Sequence, residues 1–429
     1  MTWSAPARAE WVERLVAVGR ALGDDGRSLL SLEAEEMKAA ARRTTGLEDF
    51  GDDWFEEPLL RLSTALDDEA RLHLPGRLRA RAELQVLLQN RLRLVELWNQ
   101  RPEIPDAPVE APIIVTGLGR SGTTFLHELL AADPDNRAPL LWEMLHTVPG
   151  GGRAEWTADE AAVMTELADR EIKMMDEMVP AFTTMHENGG GLPTECIFLF
   201  AHQFSSDLFT GLYNVPSYTI WKSSADQAPA YEWHRRMLAT LQHDRPGRRM
   251  VVKAPSHLSE LALLYHTYPD ARVVMTHRDP LRVIGSLADL MATLHWMHSD
   301  HADYATLVEF MCMGLEMQMD AVTRQRDSGE LPGAIVDVLY TDLVADPIGS
   351  IESLYAAWDL PVTPGYRAAL ERHVAARHRA PSGGGGSGGA GAAGRAAHDY
   401  RFEDTGLDLQ THRALLSAYQ ARFGVQSEV

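Results

Sequence analysis

The sequence predicts an α/β fold: a three-layer sandwich with a mostly parallel central sheet, preceded by an N-terminal helical extension. Two observations lead to this prediction. Four short runs, at residues 113–115, 250–252, 272–275 and 334–340, are each followed by a helical pattern. The runs are largely apolar, which is typical of parallel strands that are covered by helices on both faces.

The N-terminal extension is predicted from two apolar stripes at helical spacing. The first stripe consists of Trp11, Leu15, Val18 and Leu22, and the second of Leu84, Leu88, Leu92 and Val95. We therefore divide the chain into a helical extension over residues 1–108 and an α/β domain over residues 109–429. The glycine-rich segment 381–394 is predicted to be a flexible loop within that domain.

Composition and charge exclude several classes of protein. The 429 residues are 45% hydrophobic and 24% charged, which is ordinary for a globular protein. A formal net charge of -21 repels polyanions, so nucleic acid and long sulfated glycans are poor partners. Any bound anion must be held by a local pocket of Arg, Lys and backbone N–H groups. Nothing in the sequence indicates the oligomeric state.

The cysteines and the N-terminus bear on the compartment. Two cysteines, Cys196 and Cys312, are too few for a disulfide framework or, on their own, a zinc site, and we expect buried, reduced thiols. Glu10 and Glu13 interrupt the stretch where a signal peptide would be apolar, and no apolar run is long enough to span a bilayer. These features predict a cytoplasmic protein.

The segment 117–124 is predicted to be a phosphate-binding loop. Gly117, Gly119 and Gly122 let the backbone turn tightly between a strand and a helix, whose N-terminus offers free N–H groups to an anion. The spacing matches the loop of nucleoside triphosphatases, but Thr123 stands where those proteins have the lysine that reaches the β- and γ-phosphates. A ligand with a single 5′-phosphate would not need that lysine.

Two rival ligand classes follow from the same loop. The glycines also satisfy the dinucleotide pattern, which needs a second strand ending in an acid that binds the ribose. Glu143 is at about the right distance, but residues 138–142 contain a proline and make a poor buried strand, so NAD is a rival rather than the favourite. A nucleotide kinase is a further alternative, as is a non-catalytic nucleotide-binding protein.

A second anion site is predicted where the strand near residue 275 ends. Arg278 is a planar donor suited to a bidentate phosphate contact, and Ser286 in the next helix can add a hydroxyl. Two phosphate sites side by side imply a ligand with two separated phosphates. The alternative is a structural ion pair between Arg278 and Asp279 at the strand end.

These features resemble the sulfotransferases that use 3′-phosphoadenosine 5′-phosphosulfate (PAPS), in particular a bacterial branch with a helical N-terminal region. The loop resembles the family's 5′-phosphosulfate loop, and Arg278 with Ser286 resembles its 3′-phosphate site. Further matching pieces lie at 46–51, 141–143, 233–236, 253–258, 340–343 and 402–407. The resemblance implies that PAPS is bound, without a metal, by Gly119, Arg120, Ser121, Gly122, Thr123, Thr124, Arg278 and Ser286.

The sequence departs from the family pattern at three places. Gly119 replaces a usual proline, and Arg120 stands where many members have lysine. The glycine-rich segment replaces a basic segment that often covers the cofactor, for which Arg395 and His398 are weak substitutes.

The expected reaction is in-line sulfuryl transfer to a hydroxyl of a small-molecule, lipid or sugar acceptor. Charge grows on the bridging oxygen as the S–O bond breaks, and Lys253 at a strand end is positioned to stabilise it. A general base must take the hydroxyl proton. We expect Glu143 in that role, with His257 a close second and Glu195 a weaker third.

Overall fold

The computed structural model describes residues 3–185, 189–243, 247–379 and 402–429. The predicted loop 381–394, with Arg395 and His398, lies outside the described residues. Five strands form a single sheet in the order β2-β3-β1-β4-β5, and every neighbouring pair is parallel. The strands are β1 (Ile113–Gly117), β2 (Asn136–Arg137), β3 (Arg249–Lys253), β4 (Arg272–His277) and β5 (Ile335–Leu339). The predicted α/β fold is confirmed.

Helices make up most of the remaining described chain. The N-terminal helices are α1 (Glu10–Leu22), α2 (Ala34–Thr45), α3 (Glu56–Asp68) and α4 (Leu74–Gln100). The middle of the chain holds α5 (Thr123–Ala131), α6 (Leu141–Leu145), α7 (Ala158–Met178), α8 (Ile197–Ala201), α9 (Asp207–Leu212), α10 (Pro216–Ser224), α11 (Ala228–His243) and α12 (Leu261–Thr267). The remainder are α13 (Pro280–His298), α14 (Tyr304–Asp327), α15 (Tyr340–Ala345), α16 (Pro347–Ala357), α17 (Pro364–Arg379) and α18 (Leu409–Phe423).

Successive strand residues point to opposite faces of the sheet, and helices bury both faces. On one face, Ile114 and Val252 share a core with Trp98 of α4 and Trp233 of α11. On the other face the core is formed by the alternate strand residues with α5, α16 and α17, and it contains Ile113, Val115, Val251, Leu126, Leu129, Tyr355 and Leu370. This arrangement is the predicted three-layer sandwich.

The two predicted N-terminal stripes fare differently. The α4 stripe is confirmed, because its four residues from Leu84 to Val95 are all buried. The α1 stripe is wrong: the helix forms, but Trp11, Val18 and Leu22 are exposed, while Val12, Val16 and Gly19 face the core. Gly19 is required at the contact, since a Cβ there would lie 2.9 Å from Cβ of Leu74.

The N-terminal helices share a core with later parts of the chain. Val12 and Val16 of α1 belong to the same buried cluster as Phe204, as Met175 of α7 and as Met297 of α13. The boundary at residue 108 stays a prediction. Among the described residues, none of the helices is both long enough and apolar enough to cross a membrane.

Candidate functional site

The segment between β1 and α5 folds as a tight loop at the carboxyl end of the central strand. Three of its residues have positive φ: Gly117 (142°), Arg120 (65°) and Gly122 (90°). A Cβ on Gly117 would lie 2.3 Å from Oγ1 of Thr276 on β4, so only glycine fits against the neighbouring strand. The first backbone N–H groups of α5 lack partners within the helix and lie where the loop ends. The loop has the form of an anion cradle.

Ser121 closes the loop from inside. Its hydroxyl lies 2.6 Å from the carbonyl oxygen of Leu118 and 2.6 Å from Oγ1 of Thr276, and its backbone N–H donates to the same carbonyl at 3.2 Å. The side chain is fully buried. Ser121 therefore shapes the loop, and its predicted contact with the ligand stays a prediction.

Arg120, Ser286 and Arg278 meet on the β4 side of the loop. Nε of Arg120 donates to Oγ of Ser286 at 3.1 Å, and Nη1 of Arg278 donates to the carbonyl oxygen of Arg120 at 3.0 Å. The Arg278 guanidinium also packs 4.0 Å above the ring of Tyr340. The two predicted anion sites are thus adjacent, because β4 lies beside β1 in the sheet.

The Arg278 donors that do not face the loop are bound by the carboxylate of Glu428. Its carboxylate accepts hydrogen bonds from Nε of Arg278 at 2.9 Å and from Nη2 at 2.8 Å. The backbone N–H of Glu428 donates to Asp279 at 2.6 Å, so Asp279 holds this segment instead of pairing with Arg278. A carboxylate bound in this two-pronged way has the contacts that a phosphate would make.

Lys253 approaches the loop from the β3 side. Its Nζ donates to Oγ1 of Thr124 at 3.2 Å and to Oε1 of Glu195 at 2.5 Å. The Lys253 side chain is 3% exposed and the Glu195 side chain 20% exposed, so the pair lies at the edge of solvent. A buried cation is therefore held beside the first turn of α5, with a carboxylate next to it.

Glu143 has a structural set of contacts. Oε1 accepts from Nη2 of Arg137 at 2.7 Å, and Oε2 accepts from the backbone N–H of Leu140 at 2.8 Å, which caps α6. Its side chain is 5% exposed. Glu143 does not end a second nucleotide-binding strand, because it lies within α6.

His257 is fully buried in the 3₁₀ helix Pro255–Glu260 that follows β3. Its Nδ1 lies 2.9 Å from the hydroxyl of Tyr231. Burial lowers the pKa of His257 to about 3, against a smaller opposing effect of Glu195. The imidazole is therefore neutral at physiological pH, but it is shielded from any ligand in solution.

The loop, the two arginines and the lysine define a class: an α/β protein whose loop between the central strand and the next helix lies between cationic groups from both neighbouring strands. A model described as the sulfotransferase family matches residues 112–364, which include this whole site. The chain belongs to the sulfotransferase family.

Relatives and solved structures agree. The omega-hydroxy-beta-dihydromenaquinone-9 sulfotransferases Stf3 of Mycobacterium bovis and Mycobacterium tuberculosis are each 25% identical over 278 residues, which is 62% of this chain and 67% of theirs. The crystal structure of sulfotransferase STF1 from Mycobacterium tuberculosis has a TM-score of 0.73 and 28% identity, covering 90% of this chain and 98% of STF1. Sulfotransferase STF9 from Mycobacterium avium has a TM-score of 0.78 and 25% identity, covering 92% and 98%. Because these alignments cover 90% and 92% of this chain, they must include part of the N-terminal helical region.

Proposed function

We propose that this sulfotransferase moves a sulfuryl group from PAPS to the hydroxyl of a small-molecule or lipid acceptor. The observation that carries the proposal is the two-sided loop: Lys253 contacts Thr124 from β3, and Arg278 contacts the Arg120 carbonyl from β4. The 5′-phosphosulfate would lie on the loop, and the 3′-phosphate would lie at Arg278 and Ser286. The cytoplasmic location is part of this proposal, and so is the exclusion of nucleic acid.

The rival ligands fit less well. A triphosphate would lack the loop lysine, since Thr123 begins α5 in its place. The dinucleotide pattern needs a strand that ends in the ribose-binding acid, but residues 141–145 form α6. A purely binding protein would have no use for the buried Lys253–Glu195 pair beside the loop.

The proposed reaction is a single in-line displacement. The acceptor oxygen forms a new S–O bond while the bond from sulfur to the bridging phosphate oxygen breaks, and adenosine 3′,5′-bisphosphate leaves with that bonding pair. Lys253 and the N–H groups at the start of α5 stabilise the charge that grows on the bridging oxygen. The acceptor proton passes to a general base. No metal takes part in these steps.

Thermal melting with three ligands tests the proposal. A ligand that binds the folded state raises the melting temperature by mass action. We expect adenosine 3′,5′-bisphosphate to stabilise the protein, and ATP and NAD at equal concentration to have little effect. Stabilisation by ATP alone would support a kinase, and by NAD alone a dehydrogenase. Transfer of radiolabelled sulfate from PAPS to hydroxyl acceptors, followed by mass spectrometry, then separates an enzyme from a binding protein.

Three residues are candidates for the base, and their contacts rank them. Glu143 has one oxygen on Arg137 and the other on a helix cap, and His257 is sealed in the core. Glu195 is the most exposed of the three and lies against Lys253. We therefore propose Glu195 as the base, while Glu143, the residue favoured by the sequence, stays an alternative.

Replacing the two glutamates separately distinguishes their roles. Glu195→Gln should lower kcat about 10²-fold, because the general base is lost, and should lower the melting temperature less than Glu143→Gln does, since Glu195 is partly exposed. Glu143→Gln should instead lower the melting temperature, since breaking a buried ion pair costs roughly 3–5 kcal/mol, while kcat of the folded fraction stays near wild type. Steady-state kinetics and melting curves of both variants give the answer. The reverse pattern would assign the base to Glu143.

Glu428 should compete with the donor, because its carboxylate occupies the guanidinium proposed to hold the 3′-phosphate. We expect Glu428→Gln to tighten the binding of adenosine 3′,5′-bisphosphate about fivefold, the equivalent of a partly exposed ion pair of about 1 kcal/mol. Titration calorimetry measures the change. The control Asp327→Asn breaks the pair between Asp327, at the end of α14, and Arg422 of α18, and should leave Kd unchanged. Equal or weaker binding by Glu428→Gln would show that the carboxylate does not compete.

The acceptor is proposed to be apolar around its hydroxyl. The Stf3 relatives are named for a hydroxylated menaquinone, which favours a lipid over the sugar that the sequence also allowed. Near the loop, the Arg120 side chain donates to the carbonyl oxygen of the buried Met185, and Leu287 lies 3.7 Å from the Cβ position of Gly119. A panel of lipid, phenol and sugar alcohols supplied with PAPS should give a sulfated product first with the lipid alcohols.

A further inference from the structure

Cys196, His234 and His257 form a group that the reaction above does not use. One ligand atom from each residue lies within 4.8 Å of those of the other two, and all three side chains are fully buried. Each comes from a different element: Cys196 precedes α8, His234 lies on α11, and His257 lies in the 3₁₀ helix after β3. The fold has therefore brought three metal-binding side chains together in the core.

Each of the two imidazoles has one ring nitrogen bonded and the other unpaired. Nδ1 of His257 lies 2.9 Å from the hydroxyl of Tyr231, and Nδ1 of His234 lies 2.7 Å from that of Tyr268. Within the described part of the chain, the Nε2 atoms of both histidines are buried without a hydrogen-bond partner. An unpaired buried polar atom costs about 1–3 kcal/mol, so two in one cluster need an explanation.

An aromatic ring packs against both imidazoles. The ring of Phe200 stacks on His234 with centroids 4.8 Å apart and meets His257 edge-on at 5.6 Å. The third candidate ligand atom of the cluster, beside the two imidazole nitrogens, is the Cys196 sulfur. A thiol with two imidazole nitrogens is a set of ligands that borderline-soft cations prefer.

We propose that Cys196, His234 and His257 bind a zinc ion. Zinc accepts thiolate and imidazole ligands in a tetrahedral arrangement, and these three residues would supply three of its four positions. The tyrosine hydroxyls at both Nδ1 atoms fix the ring orientations, as outer partners of metal-bound histidines commonly do. The Cys196 thiol loses its proton to solvent on binding.

Burial prepares the imidazoles to bind a metal ion but disfavours the thiolate form of the cysteine. Burial lowers the pKa of both histidines, so both are neutral and able to bind. Burial raises the pKa of Cys196, and the charge of the bound cation reverses that preference.

The position of the site indicates what the ion does. The backbone N–H of Cys196 donates to the carbonyl oxygen of Lys253 at 2.8 Å, and Cys196 directly follows Glu195. An ion held by Cys196 and His257 would tie together the two segments that carry the Lys253–Glu195 pair. The role is structural, and the inference does not depend on the proposed reaction. It departs from the absence of metal expected from the sequence.

A second cysteine group provides a matched control. In Cys312, Glu316 and His412 the candidate ligand atoms already contact one another: Nδ1 of His412 lies 2.6 Å from Glu316 and 3.2 Å from the Cys312 sulfur. None of these atoms is left unpaired in the described structure. The contrast predicts that zinc depends on Cys196 and not on Cys312.

The test is metal analysis of the whole chain, purified without chelator and dialysed after addition of Zn²⁺ alone. We expect one zinc per chain, a higher melting temperature with zinc than after chelation, and thiolate-to-metal absorption when Co²⁺ replaces it. Cys196→Ala should weaken Zn²⁺ binding more than 100-fold, and Cys312→Ala should not change it. Tyr268→Phe removes one outer partner, tests the site without emptying the core, and should weaken binding roughly 10- to 100-fold.

Three results would overturn the proposal. One is folded wild-type protein that neither retains zinc nor melts differently with it. Another is Cys196→Ala protein that still retains one zinc per chain. The third is loss of zinc from Cys312→Ala, which would place the ion in the other group. If Cys196→Ala fails to fold, the wild-type and Tyr268→Phe results decide.

Discussion

Lys253→Met is expected to lower kcat for sulfuryl transfer about 10³-fold, the loss seen when one strong donor to a developing negative charge is removed. Lys253 is held beside Thr124 at the first turn of α5, where the bridging oxygen would carry that charge. The interaction strengthens as the S–O bond breaks, so kcat should fall far more than donor affinity. Single-turnover transfer of radiolabelled sulfate, together with the Kd for adenosine 3′,5′-bisphosphate, measures both.

A matched control separates chemistry from the loss of a salt bridge. Lys222 of α10 pairs with Asp207 of α9 at 2.7 Å and is also mostly buried. Lys222→Met should retain kcat within a few-fold. Because Lys253→Met leaves Glu195 without its cation, its fold must be checked by melting with the bisphosphate. Near wild-type kcat in folded Lys253→Met protein would remove Lys253 from the mechanism.

Acidification from pH 7.5 to 5.5 is expected to destabilise the protein by several kcal/mol. Among the described histidines outside the proposed zinc site, burial lowers the pKa of five: His73, His127, His202 and His295 to about 4, and His298 well below its usual value. In the unfolded chain, a histidine has a pKa of about 6.5. Below that pH the unfolded state binds protons that the folded state does not.

The sign follows from that difference. Stability is at its full value above about pH 6.5 and is lost as the pH falls toward 4, at up to 1.4 kcal/mol per pH unit for each histidine. The net charge of -21 shrinks on acidification, which relieves surface repulsion and opposes the loss. That relief is screened by salt, whereas the buried groups are not, so the histidines dominate.

Melting temperatures and the number of protons taken up on unfolding check this prediction. His295→Gln should reduce the slope of stability against pH by the contribution of one buried histidine. His266→Gln, the same substitution at an exposed position, serves as the control. A melting temperature that is flat between pH 7.5 and 5.5 would contradict the prediction.

Local patterns predicted four of the five strands correctly, because each of those four is a short apolar run followed by a helix. They also predicted the tight glycine loop between β1 and α5, whereas phosphate binding by that loop stays a prediction. The face of α1 was predicted wrongly because Gly19, which touches Leu74, has no side chain to mark it as buried. The two-residue strand β2 was missed, since Asn136 and Arg137 have no apolar character.

Contacts between distant residues could not be predicted from the sequence. Glu195 is 58 positions from Lys253, and Glu428 is 150 positions from Arg278, so no spacing rule connects either pair. Cys196, His234 and His257 are also distant from one another in sequence, and the sequence predicts a buried thiol at Cys196 and a candidate base at His257 without connecting them. For Glu143, the nearby Arg137 was the available signal of a structural ion pair.

Calorimetric titration of wild type and Arg278→Gln with adenosine 3′,5′-bisphosphate and adenosine 5′-monophosphate tests the bipartite pocket most directly. We predict that wild type prefers the bisphosphate by about 10²-fold, the value of two charge-assisted hydrogen bonds. Arg278→Gln should lose most of that preference while its affinity for the monophosphate changes little. If Arg278→Gln kept the full preference, the 3′-phosphate would lie elsewhere and the two-site account of the donor pocket would be contradicted.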